Sequence, residues 1–189
     1  MKKKPFHYFI ALSLPNEVKE FLYEISLKLR MDYSFQKWVH KEDYHLTLAF
    51  LGPSSQEKYQ SMMNDLRISL QNQSGFMLGI NQIGIFGLAE KPRILWCAPY
   101  EWENLITLQQ VVSHCCQVNG YQLDKKKFNP HITLARKYEG NALFTKKDLD
   151  KCGNLFKEDI IFKAEKITLY ETHIDQTPKY QIIDSIELT

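Results

Sequence analysis

Two short segments of the sequence share a pattern of residue types that could do acid–base chemistry. His45-Leu-Thr-Leu48 and His131-Ile-Thr-Leu134 both read His-apolar-Thr-apolar, lie 86 positions apart and continue into alanine. Each segment lies in a stretch whose alternating hydrophobicity predicts a β-strand, where side chains two positions apart project from the same face. Each segment therefore presents an imidazole and a hydroxyl group side by side, with apolar residues on the opposite face.

Two imidazoles and two hydroxyls suit the cleavage of a phosphodiester. In-line attack on phosphorus needs one group that takes a proton from the incoming oxygen and one that gives a proton to the departing oxygen, and histidine can do either near neutral pH. The hydroxyls of Thr47 and Thr133 can donate hydrogen bonds to the non-bridging phosphate oxygens. If the two strands lie side by side, His45 and His131 converge on one pocket.

The alternative interpretation of each motif is an ordinary strand residue. One His-x-Thr segment is too short to indicate catalysis on its own. Two matched copies, each opening a strand after a loop, are rarely produced by coincidence. No HxH, HExxH or carboxylate cluster accompanies them in the sequence, so we expect neither a metal nor a cofactor.

The composition limits the class of protein. A chain of 189 residues with 44% hydrophobic content is long enough to bury a core, and we expect a single domain spanning 1–189. A formal net charge of +2 excludes a strong positive field for non-specific binding of long duplexes, so an anionic substrate must be held locally. The four cysteines lack CxxC spacing, which indicates reduced, mostly buried thiols in a cytoplasmic protein.

The first residues superficially resemble a signal peptide, because a lysine run precedes a short apolar stretch. His7 and Ser13 interrupt that stretch, and no small-residue cleavage site follows it. We therefore expect a strand there instead. No segment approaches the roughly 18 consecutive apolar residues of a membrane span, so we expect no membrane association.

The periodicity along the chain predicts an α+β fold rather than a doubly wound parallel sheet, because several strands follow one another as hairpins. A capping box at Ser54-x-x-Glu57 is expected to start the second helix. Helices are predicted around the apolar stripes Val18–Leu29, Tyr59–Leu70 and Leu105–Cys115 and near 146–151. Strands are predicted at 6–14, 35–39, 45–51, 76–86, 93–98, 131–136, 159–164, 166–170 and 180–188, with a loop at 40–44.

The chain resembles the 2H phosphoesterase superfamily, and within it the RNA 2′,3′-cyclic phosphodiesterases formerly called 2′-5′ RNA ligases. The resemblance extends beyond the two motifs over nearly the whole chain. It covers Tyr8–Pro15, Trp38–Val39 with His45–Gly52, Pro92–Trp96, Asn129–Arg136 and Leu169–His173. It implies two similar lobes, each an antiparallel-rich sheet backed by helices, with one HxTx motif per lobe facing a central cleft.

The resemblance also implies an activity and a role for each residue. The expected reaction is metal-independent hydrolysis of RNA or nucleoside 2′,3′-cyclic phosphates to 2′-phosphates, with His45 as proton donor and His131 as proton acceptor. Thr47, Thr133 and Arg136 would bind the phosphate. Strict alternation places Arg136 on the face opposite His131, so a bulge or strand end is expected to turn it back. The family has a basic residue where this chain has Glu171, which argues against a phosphate role for that segment.

Other functions stay open at this point. The enzyme could act on another cyclic phosphate or on a 2′-5′ linkage, and a non-catalytic RNA-end binding protein is the alternative from another class. The expected partners are RNA ends or small nucleotides bearing a 2′,3′-cyclic phosphate, and we expect a monomer. The residues of secondary interest are Arg93 and Lys125–Lys127 as possible anion contacts, Phe9, Trp38 and Tyr44 as possible base-stacking groups, and His7, His40, His114 and His173 as unmatched histidines with ordinary surface or capping roles.

Overall fold

The computed structural model describes residues 6–100, 103–156 and 160–189. Within them the α+β fold class is confirmed. The helices are α1 (Asn16–Asp32), α2 (Gln56–Ser69), α3 (Glu103–Val118) and α4 (Lys146–Gly153). The strands are β1 (His7–Ser13), β2 (Phe35–Trp38), β3 (His45–Pro53), β4 (Phe76–Gly87), β5 (Pro92–Tyr100), β6 (Ile132–Tyr138), β7 (Ile160–Ala164), β8 (Lys166–Thr172) and β9 (Tyr180–Glu187).

The strands form two sheets in which every pairing is antiparallel. The first sheet has the order β3-β1-β8-β9 and the second has the order β2-β6-β5-β4-β7. The sheets interleave along the chain, because β2 joins the second sheet between two strands of the first, and β8 and β9 return to the first. The two HxTx motifs therefore lie on different sheets, one in β3 and one at the start of β6.

The two sheets meet where the motifs are. β3 is the edge strand of the first sheet and lies in contact with β6 of the second. The amide of Val39, just after β2, donates a hydrogen bond of 2.9 Å to the carbonyl of Leu134 in β6. This connection holds the turn before β3 against the strand that follows His131.

The alternation of the motif strands explains how they are anchored. Leu46 and Leu48 in β3, and Ile132 and Leu134 in β6, are almost completely buried in one continuous core. The core also contains the apolar stripes of the helices, and fully burying each such side chain contributes about 1.5–3 kcal/mol. The face of each sheet that carries the histidine and threonine is called the motif face below.

Most predicted elements are confirmed, with two differences around the end of β3. That strand runs to Pro53 instead of ending at Leu51, because Gly52 adopts a φ of 69° and pairing with β1 continues through a register shift. The predicted capping box at Ser54 is wrong by one residue. Ser55 caps α2 by accepting the amide proton of Lys58, while the Ser54 hydroxyl bonds to Tyr121.

The predicted loop 40–44, which lies before β3, contains a 3₁₀ turn at Lys41–Asp43. All four cysteines are free and buried, as predicted. No described helix is long and apolar enough to cross a membrane. The lysine run at the start of the chain and Asp159, the first residue of one predicted strand, lie outside the described residues.

Candidate active site

His45 opens β3 with both ring nitrogens engaged. Its Nδ1 lies 2.7 Å from the carbonyl oxygen of Asp43, and its Nε2 lies 3.0 Å from the hydroxyl oxygen of Thr47. Since a carbonyl can only accept, Nδ1 carries the proton, and in the neutral ring Nε2 accepts from the threonine hydroxyl. The imidazole is thus fixed in one orientation with its basic nitrogen beside Thr47.

His131 repeats this arrangement immediately before β6, which begins at Ile132 and not at His131 as predicted. Its Nδ1 lies 2.8 Å from the carbonyl oxygen of Asn129, again two residues earlier in the chain. The same reasoning places the proton on Nδ1 and leaves Nε2 as the basic nitrogen. Both imidazoles therefore have the same tautomer and the same local support.

Asp43 connects the first histidine to the other end of the first sheet. Its side chain is buried, and its carboxylate accepts hydrogen bonds from the backbone amides of Lys179 at 2.9 and 3.0 Å and of Tyr180 at 3.1 Å. Its backbone carbonyl holds His45. Sequence reasoning missed this residue because its partners lie more than 130 positions away in the chain.

Aromatic rings surround His45 on the motif face of the first sheet. The ring centroids of Phe9, Tyr180 and Tyr170 lie 4.8, 5.1 and 6.0 Å from that of His45. Phe9 thus lies next to His45, and its role in stacking a base stays a prediction. Tyr44 is instead buried in the core with its hydroxyl bonded to Ser26, so its predicted stacking role is wrong.

His131 packs against a second pair of aromatic residues that sequence reasoning did not single out. Its ring centroid lies 4.9 Å from Phe86 and 6.4 Å from Trp96. The Trp96 ring covers Gly84 so closely that a Cβ there would come within 2.2 Å of a ring carbon. The signal was present in the alternation of β4 and β5, which pair Gly84 with Trp96. Trp38, the remaining predicted stacking residue, packs against the core and Phe35 instead.

Arg136 lies on the motif face because β6 contains the bulge that the alternation required. Thr133 pairs with Trp96 and Arg136 pairs with Ile94, with a register shift between them. Trp96 and Ile94 are two positions apart in β5 and share a face. The consecutive burial of Leu134 and Ala135 marks the same shift. Arg136 and Thr133 are therefore on the same side of the sheet.

The positive charge of Arg136 acts on both His45 and His131. Burial lowers the pKa of His45 to about 4, against the opposing effect of the hydrogen bond to the Asp43 carbonyl, and the charges of Arg136 and His131 lower it further. Burial also lowers the pKa of His131, as does Arg136, while the Asn129 carbonyl raises it. Both imidazoles are neutral at neutral pH, and one guanidinium acts on both.

A cavity of about 990 Å³ adjoins the aromatic residues that flank His45, although His45 itself does not line it. Phe9 and Tyr180, which flank the imidazole, also line the cavity. Its remaining walls come from the ends of β1, β3 and β8 and from the loop before β9. The volume is at the upper end of the range of about 300–1,000 Å³ typical of small-molecule sites.

Of the other candidates from the sequence, His7 and His173 line the cavity, and the rest lie elsewhere. Arg93 and Lys125–Lys127 are exposed, and Lys126 pairs with Asp124 at 3.3 Å. His40 accepts the amide proton of Glu42 in the predicted capping role, and His7 and His114 are exposed. His173 lies 2.8 Å from Glu171, which also accepts the Tyr8 hydroxyl proton. No cluster of three potential metal ligands occurs in the part of the chain that the structure describes.

Comparison with known proteins decides the family. The model of the 2′-5′ RNA ligase superfamily matches residues 15–176. The chain belongs to this superfamily. The resemblance to the 2H phosphoesterases inferred from the paired motifs is thereby confirmed, and both motifs lie inside the matched range.

Members of the 2′-5′ RNA ligase superfamily with similar sequences carry a common name. The chain is 36% identical over 182 residues to the RNA 2′,3′-cyclic phosphodiesterase of Geobacillus stearothermophilus, covering 96% of this chain and 57% of that protein. It is 31% identical to the protein of the same name from Bacillus subtilis (strain 168), with 97% of each chain covered. The chain thus spans little more than half of the first relative and nearly all of the second.

A solved structure supports the superfamily fold. LigT of E. coli, crystallised in complex with 3′-AMP, matches with a TM-score of 0.76 at 23% identity, covering 98% of this chain and 99% of that one. At this identity the match establishes the fold. The prediction of a 2H phosphoesterase fold is confirmed.

Proposed function

We propose that the protein hydrolyses the 2′,3′-cyclic phosphate of RNA ends or nucleosides to a 2′-phosphate. The observation that carries the proposal is the matched pair of imidazoles. His45 opens β3 and His131 immediately precedes β6 on the other sheet, and the two imidazoles have the same tautomer and lie within the field of one guanidinium. The name shared by the bacterial relatives supports the same substrate.

The phosphate is held by the groups around the imidazoles. The Arg136 guanidinium offers charge-assisted hydrogen bonds to the non-bridging oxygens, and the hydroxyls of Thr47 and Thr133 add one donor from each sheet. The nucleoside lies against Phe9 and Tyr180, which flank His45 and line the cavity, and these rings give it an apolar, aromatic wall. Base–aromatic contacts of this kind contribute about 1–3 kcal/mol per base.

Entry of the phosphate prepares His45 to act as the acid. Before the substrate binds, the Nε2 of His45 accepts from Thr47, and its pKa of about 4 keeps it unprotonated. The negative charge of the phosphate offsets the positive charge of Arg136 and raises the pKa of the imidazole. His45 then takes up a proton at Nε2, and the Thr47 hydroxyl turns from the ring to a phosphate oxygen.

Hydrolysis then moves two protons and exchanges one bond. His131 Nε2 takes a proton from water as the water oxygen attacks phosphorus, and the bond between phosphorus and the 3′ oxygen breaks. His45 Nε2 gives its proton to the departing 3′ oxygen, which leaves a 3′-hydroxyl and a 2′-phosphate. His131 then releases its proton to solvent as the product leaves, so both imidazoles are again neutral.

Product analysis by phosphorus NMR tests the reaction. Wild type incubated with adenosine 2′,3′-cyclic phosphate in EDTA is expected to form adenosine 2′-phosphate, because imidazoles move both protons. Formation of the 3′-phosphate, or loss of turnover on chelation, would contradict the proposal. Tight binding of the cyclic phosphate without product would instead support an RNA-end binding protein.

The free thiols and the composition of the site also support a proposal for the compartment and the oligomeric state in which the protein acts. We place the protein in the cytoplasm, since its four buried free thiols suit a reducing compartment. We propose that it acts as a monomer on RNA ends and nucleotides, since one chain supplies both imidazoles, both threonines and the arginine. Activity at a concentration where sedimentation shows one copy tests the monomer.

A further inference from the structure

Lys37 faces Arg136 across the edge of the second sheet. In the β2–β6 pairing Lys37 lies directly opposite Arg136, and Trp38 lies opposite the buried Ala135. Residues directly opposite one another in an antiparallel pair project from the same face. Lys37 is therefore on the motif face, one strand further from the centre of the sheet than Arg136.

This juxtaposition places two positive charges side by side without a balancing acid. Both side chains are exposed, and among the described residues neither makes an ion pair or a side-chain hydrogen bond. Like charges directly opposite in a sheet destabilise the folded state. An anion bound between them removes that repulsion, and a phosphodiester is the anion that the neighbouring site is built to receive.

We propose that Lys37 binds the 5′-phosphate of the nucleotide whose 2′,3′-cyclic phosphate is held by Thr133 and Arg136. This inference rests on the proposed function and names the substrate more narrowly, as an RNA end with a phosphate on its 5′ side. Lys37 is thus a substrate-binding residue that discriminates RNA ends from cyclic mononucleosides.

The order of residues on the sheet gives the substrate a direction. His131 lies immediately before β6 and Thr133 near its start. Arg136 lies three positions beyond Thr133, and Lys37 lies beside Arg136 on the edge strand β2. Neighbouring strands are separated by about 4.8 Å, and the flexible lysine stem adds reach beyond that. The cyclic phosphate sits at the histidines, and the chain leaves the site over the edge of the sheet.

The direct test compares two substrates that differ by one phosphate. Adenosine 2′,3′-cyclic phosphate is hydrolysed with and without a 5′-phosphate by wild type, Lys37→Gln and Lys37→Arg. Lys37→Gln is expected to lower kcat/KM about tenfold on the 5′-phosphorylated substrate. On the substrate without a 5′-phosphate the loss should be less than twofold. Lys37→Arg, which keeps the positive charge, is expected to retain most of the wild-type kcat/KM. Lys28→Gln is the matched control, because Lys28 is exposed on α1 and makes no ion pair in the described part of the chain.

The salt dependence gives a second signature. One phosphate contact to a single strand contributes a slope of about 0.7 in the logarithm of affinity against the logarithm of salt concentration. Lys37→Gln is expected to lower that slope for the 5′-phosphorylated substrate by this amount. Equal losses on both substrates, or no loss on either, would overturn the inference and leave the hydrolysis itself standing.

Binding of the products separates this inference from the proposed function. Calorimetry measures the affinity of wild type and Lys37→Gln for adenosine 2′,5′-bisphosphate and for adenosine 2′-phosphate, and needs no turnover. Wild type is expected to prefer the bisphosphate about tenfold, and Lys37→Gln is expected to lose that preference. Equal affinities in wild type would overturn the role of Lys37, whereas absence of hydrolysis with the preference intact would overturn the reaction alone.

Discussion

A proton on His131 lowers the pKa of His45, so the two imidazoles share one electrostatic site although they lie on different sheets. The coupling follows from the contact between β3 and β6, because His45 opens β3 and His131 immediately precedes β6. The same geometry places the Arg136 charge near both rings. These relationships lead to the predictions below.

The pH dependence follows from the lowered pKa of both histidines. The profile of kcat/KM reports the free enzyme, in which the pKa of His45 is about 4 and that of His131 lies below its usual value of 6.5. We expect a bell whose two limbs both lie below pH 6.5, so kcat/KM falls as pH rises through neutrality. The profile of kcat should lie at higher pH, because bound phosphate offsets Arg136. A kcat/KM limb above pH 7 would contradict these shifts.

Replacing either threonine with valine removes a hydroxyl while keeping the shape of the side chain. Thr47→Val and Thr133→Val are each expected to lower kcat/KM about 10²-fold, the usual effect of removing one donor to a developing charge. Steady-state kinetics on the cyclic nucleotide measure the loss, and circular dichroism checks the fold. Thr107→Val on the exposed face of α3 is the control and should keep full activity. Activity within twofold of wild type for both variants would exclude the hydroxyls from phosphate binding.

Adding a methyl group at Gly84 displaces Trp96. A Cβ there would lie 2.2 Å from a carbon of the indole ring, so the ring that supports Phe86 and His131 must move. We expect Gly84→Ala to lower the free energy of unfolding by about 1–3 kcal/mol, measured in urea, and to lower kcat. Gly153→Ala is the control, since its Cβ would meet only a methyl carbon at 3.7 Å. Equal stability of the two variants would show that the indole does not rest on Gly84.

The Asp43 carboxylate is expected to stabilise the fold and to hold Tyr180 in the wall of the cavity. Asp43→Asn puts an amide group where the carboxylate accepts the backbone protons of Lys179 and Tyr180. The buried amides then lose part of their bonding, which should cost about 1–3 kcal/mol of unfolding free energy. KM should rise because Tyr180, which lines the cavity, is held less firmly in place. Asp32→Asn, an exposed carboxylate at the end of α1, is the control, and matching stabilities for the two variants would refute this role.

The sequence was sufficient to predict most elements and the strands that carry the two motifs, because both depend on local periodicity. The alternation around His45 and His131 correctly predicted two strands with buried leucine and isoleucine on one face. It also showed that Arg136 needed a bulge, which the register of β6 contains.

The parts that escaped prediction depend on partners distant in the chain. Pairing of β2 with β6, and the return of β8 and β9 to the first sheet, are set by tertiary contacts that no local pattern encodes. The bonds of Asp43 to Lys179 and Tyr180 are of the same kind. The one-residue error at the start of α2 has a similar cause, because Tyr121 engages the Ser54 hydroxyl and leaves the cap to Ser55.

The central claim is that His45 and His131 act as a pair on one phosphate. The most direct measurement is the single-turnover rate on adenosine 2′,3′-cyclic phosphate for wild type, His45→Ala, His131→Ala and the double variant. Each single substitution should lower the rate about 10²–10⁴-fold. The double variant should be little slower than the slower single one, because groups that act as a unit are lost together. A single variant that keeps more than a tenth of the wild-type rate would contradict the paired mechanism.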